Sequence, residues 1–202
     1  MNRVDLPWIR ERISRHQARA IRPDVAPRRA AVASVLRETE ERGLEMLFIQ
    51  RAQQDGDPWS GHMAFPGGRM EPEDQSPLDT ARRETAEEVQ IDLAQAGELI
   101  GPVDDIIASA RGRVLPLAIT PFVFELTAPV EAVVADPSEV EEVLWVPVRM
   151  LLDPAHSSTV AYELAGERFH LPCFRVFGRV IWGLTYQMLM RLFAVLEWEP
   201  GA

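Results

Sequence analysis

Apolar and polar residues repeat along the chain with two different periods, which predicts a mixture of strands and helices. Short apolar runs bounded by turn residues are typical of strands, whereas apolar residues spaced three or four positions apart indicate helices. The predicted strands cover residues 30–36, 45–51, 97–103, 113–126 and 142–147, and the predicted helices cover residues 77–89 and 178–197. This order of elements, joined mainly by short connections, predicts a mixed α/β fold.

The first 22 residues carry an amphipathic pattern in which Ile9 and Ile13 are separated by arginines. Arginine richness is also typical of organelle transit peptides. Those peptides are poor in acidic residues, however, and Asp5 and Glu11 argue against that class. We therefore interpret this segment as a helix that either packs on the rest of the chain or serves as an interaction arm.

The composition fits one globular domain. Of the 202 residues, 47% are hydrophobic and 26% are charged, which is enough for one core of ample size. Two prolines, Pro23 and Pro27, follow the amphipathic segment. We therefore expect an N-terminal helix and linker in residues 1–27 and a single larger domain in residues 28–198.

The charge balance and the apolar runs limit the partners. A net charge of −10 disfavours broad contact with nucleic acids, whose binding relies on basic side chains. The longest apolar run, residues 180–196, contains Gly183, Gln187 and Arg191 and is too polar to span a bilayer. We therefore expect a small-molecule partner, with neither nucleic acid nor membrane.

The cysteine content predicts a reducing environment. The chain has one cysteine, Cys173, which cannot form an internal disulfide, and no secretory signal is recognised ahead of the domain. The cytoplasm is therefore the expected location, and Cys173 is expected to lie in the core. A homodimer is compatible with the sequence.

A helix with three close carboxylates follows a loop with paired glycines, Gly67 and Gly68. Ser76 has the side chain of a helix N-cap and Pro77 suits the first helical position, so the helix is predicted to begin at Pro77. At about 100° per residue, three carboxylates of this helix fall within an arc of about 100°. They belong to Glu84, Glu87 and Glu88.

The close approach of these three negative charges is unfavourable unless a cation binds to them. Glu87 and Glu88 lie in the last turn, where the helix dipole repels negative charge, and Glu84 opposes Glu88 at a spacing of four residues. Each effect costs about 0.2–1 kcal/mol. A solvated charged face is the simpler explanation for acidic helices in general. Because a hard divalent cation would turn this repulsion into attraction, the pattern favours a metal site that also binds phosphate oxygens.

The residues from Gly68 to Ile91 read GRMEPEDQSPLDTARRETAEEVQI. This segment resembles the Nudix box, which has a glycine, a distant acid and then Arg-Glu-x-x-Glu-Glu. Residues 83–88 match the second half of the box, and Asp74 takes the place of the first acid at a spacing one residue longer than usual. The longer form resembles the coenzyme A pyrophosphatase branch of the family. Gln90 replaces the usual helix-ending glycine, so we expect a left-handed backbone there.

The likeness covers most of the chain, from about Arg28 to Leu196. Other segments that resemble the coenzyme A branch are Leu47 to Arg51, Gly61 to Gly68, Leu115 to Val123 and Ile181 to Thr185. The usual His-x-Gly-Gln of that branch is Trp59-Ser60-Gly61-His62 in this chain. This departure leaves another diphosphate, joined to a sugar or a second nucleoside, as an alternative substrate.

The resemblance implies a Nudix-type α/β/α sandwich with a mixed central sheet in residues 28–198. It also implies Mg²⁺, or Mn²⁺ in its place, beneath the diphosphate of the substrate. The expected metal ligands are the backbone carbonyl of Gly68 and the carboxylates of Glu84, Glu87 and Glu88.

The expected catalytic set is Arg83, Glu84, Glu87 and Glu139. Arg83 would orient a carboxylate through a charge-assisted bond, while the clustered glutamates would orient a water molecule and accept its proton. Many members of the family use a further glutamate from a later loop as a metal ligand or base. Glu139, Glu141 and Glu142 are candidates in this chain, and we select Glu139.

Three further residues are expected to bind substrate. These are Arg51, Trp59 and His62. Trp59 either stacks on a base or covers the core, and His62 either contacts phosphate or caps a strand. Trp145 and Trp182 are assigned to packing, because each lies in an apolar segment.

Three classes of function follow. The first is hydrolysis of coenzyme A or its acyl derivatives to adenosine 3′,5′-bisphosphate and a 4′-phosphopantetheine product. The second is hydrolysis of another nucleoside diphosphate joined to a sugar or nucleoside. The third is a noncatalytic nucleotide-binding module, ranked last because the glutamates of the box are all present. We therefore predict a metal-dependent pyrophosphohydrolase.

Overall fold

The computed structural model describes residues 4–200 of the chain. Its helices are α1 (Leu6–Arg15), α2 (Pro77–Val89), α3 (Val148–Leu152) and α4 (Gly183–Leu196), and a 3₁₀ turn covers Pro154–His156. Its strands are β1 (Arg28–Thr39), β2 (Gly43–Arg51), β3 (Met63–Ala64), β4 (Gly67–Arg69), β5 (Gly97–Pro102), β6 (Ile106–Ala110), β7 (Arg113–Leu126), β8 (Val140–Pro147), β9 (Ser157–Leu164), β10 (Glu167–Val176) and β11 (Arg179–Ile181).

Strands β1 to β8 form one mixed sheet. Strands β1 and β7 run parallel, from Arg28 opposite Leu117 to Leu36 opposite Glu125. The remaining pairs are antiparallel and give the order β3-β2-β1-β7-β5, with β4 also on β1, β6 on β7 and β8 on β2. The predicted mixed α/β fold is confirmed.

Alternate residues of the central strands face opposite sides of this sheet, as the pleat of a strand requires. Ala31 and Val35 pack in one apolar cluster with Val89 of α2. Val32 and Leu36 belong to a second cluster, which contains buried residues of α1 and α4. The sheet therefore has α2 on one face and α1 with α4 on the other, which confirms the expected sandwich.

Strands β9 to β11 form a separate three-stranded sheet that the sequence pattern did not predict. Most side chains of β9 and of the first half of β10 are exposed, so no apolar run marks these strands. The helix predicted for residues 178–197 is wrong at its start. Phe177 and Gly178 take positive φ angles of 48° and 75° and reverse the chain into β11, and α4 begins only at Gly183.

Helix α1 is shorter than the predicted helix. Asp5 caps it by accepting a hydrogen bond from the Trp8 amide at 2.8 Å, and His16 ends it. Ile9 is completely buried, and the indole of Trp8 donates to the carbonyl of Leu196 at 2.9 Å. Of the two alternatives, the structure thus shows a packed helix, while residues 1–3 of the predicted helix lie outside the described residues.

The chain after α1 is not helical, and two aspartates of the β5–β6 loop bind it. Asp104 accepts hydrogen bonds from the amide and Nε of Arg19 at 3.0 and 2.8 Å. Asp105 accepts from the Ile21 amide and from Nη1 of Arg29, each at 2.8 Å. These contacts keep residues 16–22 from continuing the helix. Because they join residues far apart in the sequence, the pattern of the N-terminal segment does not predict them.

Helix α2 has the predicted bounds, Pro77–Val89. The hydroxyl of Ser76 accepts from the Asp79 amide at 3.3 Å, which satisfies one of the free N–H groups of the first turn. Gln90 ends the helix with a φ of 58°, in the expected left-handed conformation. Because α2 packs on β1 and β4, its last two turns lie beside the paired glycines of β4.

Candidate active site

A cavity of about 610 Å³ lies where β4 meets α2. Its polar end is lined by Gly67, Gly68, Glu84, Glu88 and Glu139, and further walls come from β1, β7, α4 and the loop between β2 and β3. Segments that are far apart in the sequence therefore bring most of the expected site residues into one cavity.

The two glycines of β4 give the polar end its shape. Gly67 has a φ of 151°, and a Cβ atom there would lie 2.3 Å from the carbonyl oxygen of Ala31. A Cβ atom at Gly68 would lie 2.3 Å from Oε1 of Glu84. Backbone without side chains therefore lets the Glu84 carboxylate approach β4 and leaves room for a ligand beside it.

The three glutamates of α2 have different environments. Glu88 is 3% exposed, and its Oε2 accepts a hydrogen bond from the Gly67 N–H at 2.9 Å. Burial, reinforced by the charge of Glu84, raises the pKa of Glu88 to about 8. Burial also raises the pKa of Glu84. The Glu87 side chain is 56% exposed. Among the described residues that line the cavity, Glu84 and Glu88 are present and Glu87 is not.

Arg83 joins the glutamates to Asp74. Its Nε and Nη2 donate to the two carboxylate oxygens of Asp74 at 3.1 and 3.0 Å. Its Nη1 donates to Glu84 at 3.0 Å and to Glu87 at 2.9 Å. The Asp74 side chain is 5% exposed, and the hydrogen bonds from Arg83 hold the pKa of this carboxyl well below its usual value. Asp74 therefore holds the Arg83 guanidinium in place, and Arg83 in turn holds the Glu84 carboxylate.

The polar end of the cavity fits a hard divalent cation. Within residues 4–200, no group of three or more His, Cys, Asp or Glu side chains forms a cage that could hold a metal ion. Mg²⁺ rarely uses such a cage, because it binds one or two carboxylates and keeps water or substrate phosphates as its other ligands. Glu84 and Glu88 are two largely buried carboxylates whose negative charge is poorly solvated, and the backbone of Gly68 lies beside them. These groups suit Mg²⁺ or Mn²⁺.

Of the three later glutamates, the structure places Glu139 in the cavity wall. Besides burial, the charge of Glu139 contributes to the raised pKa of both Glu84 and Glu88, so the three carboxylates lie near one another. Glu141 is exposed, and Glu142 forms an ion pair with Nη2 of Arg179 at 2.7 Å.

Arg51, Trp59 and His62 also line the cavity. Asp57 joins Arg51, at the end of β2, to the loop that carries Trp59 and His62, because it accepts from Nη2 of Arg51 at 2.8 Å and from the Trp59 amide at 3.0 Å. Burial lowers the pKa of His62, so its imidazole is neutral at pH 7. Asp57 is a site residue that the sequence analysis did not find.

Trp182 is a second residue that the sequence analysis missed. It was assigned to packing, yet it lines the cavity, with its ring centroid 4.6 Å from that of His62 and 5.5 Å from that of Tyr162. Its place in the segment Ile181 to Thr185 was the signal that pointed to the site. Trp145 packs under the guanidinium of Arg37, whose Cζ lies 4.0 Å from the ring centroid.

Residues 27–163 match the NUDIX domain family. The match spans more than half of the chain and contains all the carboxylates that line the polar end of the cavity. The chain belongs to the Nudix family. The family predicted from the box is thus confirmed, while the coenzyme A branch stays a prediction.

This Nudix chain is similar to an uncharacterised protein of Schizosaccharomyces pombe, with 31% identity over 199 residues that cover 90% of this chain and 60% of the relative. It is 28% identical to Nudix hydrolase 22, chloroplastic, of Arabidopsis thaliana over 181 residues, which cover 87% of this chain and 58% of the relative. The chain therefore spans about 60% of the length of these curated relatives. A solved MutT/nudix family protein from Enterococcus faecalis shares the fold, with a TM-score of 0.55 at 16% identity and coverage of 95% of this chain and 69% of that one.

None of the helices in the described residues is long and apolar enough to cross a membrane. The similar Arabidopsis thaliana protein carries the name of an organelle, the chloroplast. The cytoplasmic location therefore stays a prediction for the Nudix chain. The homodimer also stays a prediction.

Proposed function

We propose that this Nudix protein hydrolyses a phosphoanhydride bond of a small, nucleotide-type diphosphate and requires Mg²⁺, which Mn²⁺ can replace. One observation carries the proposal: two largely buried carboxylates, Glu84 and Glu88, share a cavity with the bare backbone of Gly67 and Gly68. A diphosphate brings further negative charge next to these carboxylates. Binding and hydrolysis therefore need a cation between the carboxylates and the diphosphate.

The metal ligands in this proposal are Glu84, Glu88 and the carbonyl of Gly68. Glu87 is the fourth ligand and approaches the metal from the solvent side. When bound, Mg²⁺ neutralises phosphate oxygens and lowers the pKa of a water molecule. Glu139 accepts the proton of the attacking water. Arg83 is a positioning residue, because its bonds go to carboxylates.

The substrate-binding residues in this proposal are Arg51, Trp59 and His62, which Trp182 joins. The Arg51 guanidinium offers a charge-assisted bond to a phosphate oxygen. The indole of Trp59 offers a flat surface for a nucleobase. The neutral His62 donates a hydrogen bond without adding a competing charge.

A set of diphosphates incubated in ¹⁸O-water tests the proposal. The set contains coenzyme A, a nucleotide sugar and a dinucleotide, each with and without Mg²⁺. We expect one label on one phosphoryl product of at least one compound, no trapped phosphoryl-enzyme, and no turnover in excess chelator. Binding without turnover of any compound would instead identify a noncatalytic module.

Within this class, we propose coenzyme A or an acyl derivative as the substrate. The longer spacing of the box and the segment Ile181 to Thr185 support this choice. We expect kcat/KM to be at least about tenfold higher for coenzyme A than for its 3′-dephospho form, because an arginine that binds the 3′-phosphate contributes a charge-assisted bond. Equal values, or faster hydrolysis of a nucleotide sugar, would favour the second class of substrate.

The substitution Gly68→Ala tests the close approach of β4 to Glu84. We expect kcat to fall about tenfold or more, because catalytic groups displaced by about 1 Å lose much of their effect. The new methyl group would lie 2.3 Å from Oε1 of Glu84, so the carboxylate must move. Gly166→Ala is the control for lost stability: its φ of 82° strains an alanine, but a Cβ atom there meets no atom within 4 Å, so the folded variant should keep the native kcat. An unchanged kcat in a folded Gly68→Ala protein would contradict the proposed position of the metal.

A further inference from the structure

The cavity has an apolar end that the proposed hydrolysis does not use. Its walls are formed by Val32 of β1, Leu117 and Ile119 of β7, and Leu184 and Met188 of α4. These residues lie on the face of the large sheet that carries α1 and α4. Helix α2 lies on the other face, and its carboxylates reach the same cavity past the bare backbone of β4. One cavity therefore joins a charged end to an apolar end.

The polar groups near the apolar end carry no charge. The hydroxyl of Thr185 donates to the carbonyl of Met63 at 2.8 Å, so its hydrogen is already bound within the protein. The imidazole of His62 lies against the ring of Trp182, and burial keeps it uncharged by lowering its pKa. A charged group placed among the five apolar side chains would lose its water without gaining a charged partner, whereas a hydrocarbon would lose nothing.

The size and continuity of the cavity indicate what occupies this end. A volume of about 610 Å³ falls within the range of sites that enclose most of a small ligand. A diphosphate at the charged end fills only part of it. The remaining part belongs to the same cavity, so it is within reach of a group that is joined to the diphosphate.

We infer that the apolar end, defined by Val32, Leu117, Ile119, Leu184 and Met188, binds an apolar tail, meaning the uncharged hydrocarbon part of the group that the substrate diphosphate carries opposite the nucleoside. The enzyme therefore selects diphosphates by the length and polarity of the group opposite the nucleoside. This inference rests on the proposed hydrolysis at the charged end.

Esters of ADP test this inference, with the terminal phosphate joined to a methyl, butyl, octyl or dodecyl group. A methylene moved from water into apolar surroundings changes a binding constant about fourfold. We expect kcat/KM to rise at least about tenfold from the methyl to the octyl ester, mainly through a lower KM. An octyl chain that ends in a carboxylate should lose this gain. Equal kcat/KM across the series would overturn the inference.

Two variants and a control assign the effect to the apolar end. Met188→Trp should reduce the ratio of octyl to methyl kcat/KM from about ten to near one, because the indole fills the space of the tail. Met188→Ala should move the best chain length from octyl towards dodecyl. Val114→Trp adds the same bulk to an exposed position of β7, 75% exposed, and should keep the wild-type ratio. Thermal unfolding of each variant checks that it is folded, and an unaltered ratio in both Met188 variants would contradict the inference.

Calorimetry separates the failure of this inference from that of the proposed hydrolysis. If no ester is hydrolysed, the dissociation constants of the same series in Mg²⁺ give the answer. Affinity that increases with chain length would then support the apolar end while the proposed activity fails. Hydrolysis of the methyl ester with no dependence on chain length would overturn the apolar end and leave the activity standing.

Discussion

Replacement of Glu88 by glutamine is expected to lower turnover in saturating Mg²⁺ by at least about 100-fold, the scale of losses for metal ligands and general bases. The amide oxygen of glutamine can still accept the Gly67 N–H, which lies 2.9 Å from the native Oε2, so the substitution removes charge and keeps shape. Turnover against Mg²⁺ concentration measures the effect. The concentration of Mg²⁺ needed for half-maximal turnover should rise as well.

The stability of this variant distinguishes a lost ligand from a damaged fold. Burial raises the pKa of Glu88 to about 8, which means that the charged form is disfavoured in the folded protein. We therefore expect the free energy of unfolding of Glu88→Gln in chelator at pH 8 to equal or exceed that of the native protein. Glu141→Gln removes an exposed charge of the same kind and serves as the control. Native turnover in Glu88→Gln would remove Glu88 from the ligand set.

The second large effect is expected for Arg83→Met, which should lower the free energy of unfolding at pH 7 by about 3 kcal/mol, because a buried carboxylate then loses its partner. The Asp74 side chain is 5% exposed and receives two hydrogen bonds from Arg83. These bonds hold the pKa of Asp74 below its usual value, so their contribution is present above the ordinary carboxyl pKa of about 3.9 and is lost as the pH falls. Urea unfolding at pH 7 and pH 3 measures the difference.

A double variant separates the structural role of Arg83 from its effect on the active site. Asp74→Leu combined with Arg83→Met removes both buried charges, and the double variant should recover most of the lost stability, since an apolar pair often replaces a buried ion pair at little cost. Turnover should be below native in Arg83→Met and in the double variant alike, because the Glu84 carboxylate lacks the hydrogen bond from Arg83 in both. A double variant with native turnover would show that Arg83 does not position Glu84.

Local signals allowed the sequence to predict helix α2 and the family. The N-cap of Ser76, the proline at position 77 and the left-handed Gln90 all act within a few residues, and the observed helix has the predicted bounds. The Nudix box could be recognised for the same reason, because its residues lie within one short segment of the sequence. Strand signals were reliable where a strand is buried on both faces, as β1 and β2 are, and absent where the side chains of β9 are exposed.

What the sequence by itself determined is therefore the mixed α/β class, the Nudix family and the segment that carries the carboxylates. The tertiary structure alone decided which carboxylates enter the cavity. Spacing places Glu84, Glu87 and Glu88 within one arc, but the packing of α2 on β1 and β4 buries Glu88 and leaves Glu87 in water. Packing also decided that Trp182 lines the site, because β11 and the start of α4 bring it against His62 from a distant part of the chain. Burial and long-range contact depend on how elements meet in space, and local spacing does not contain that information.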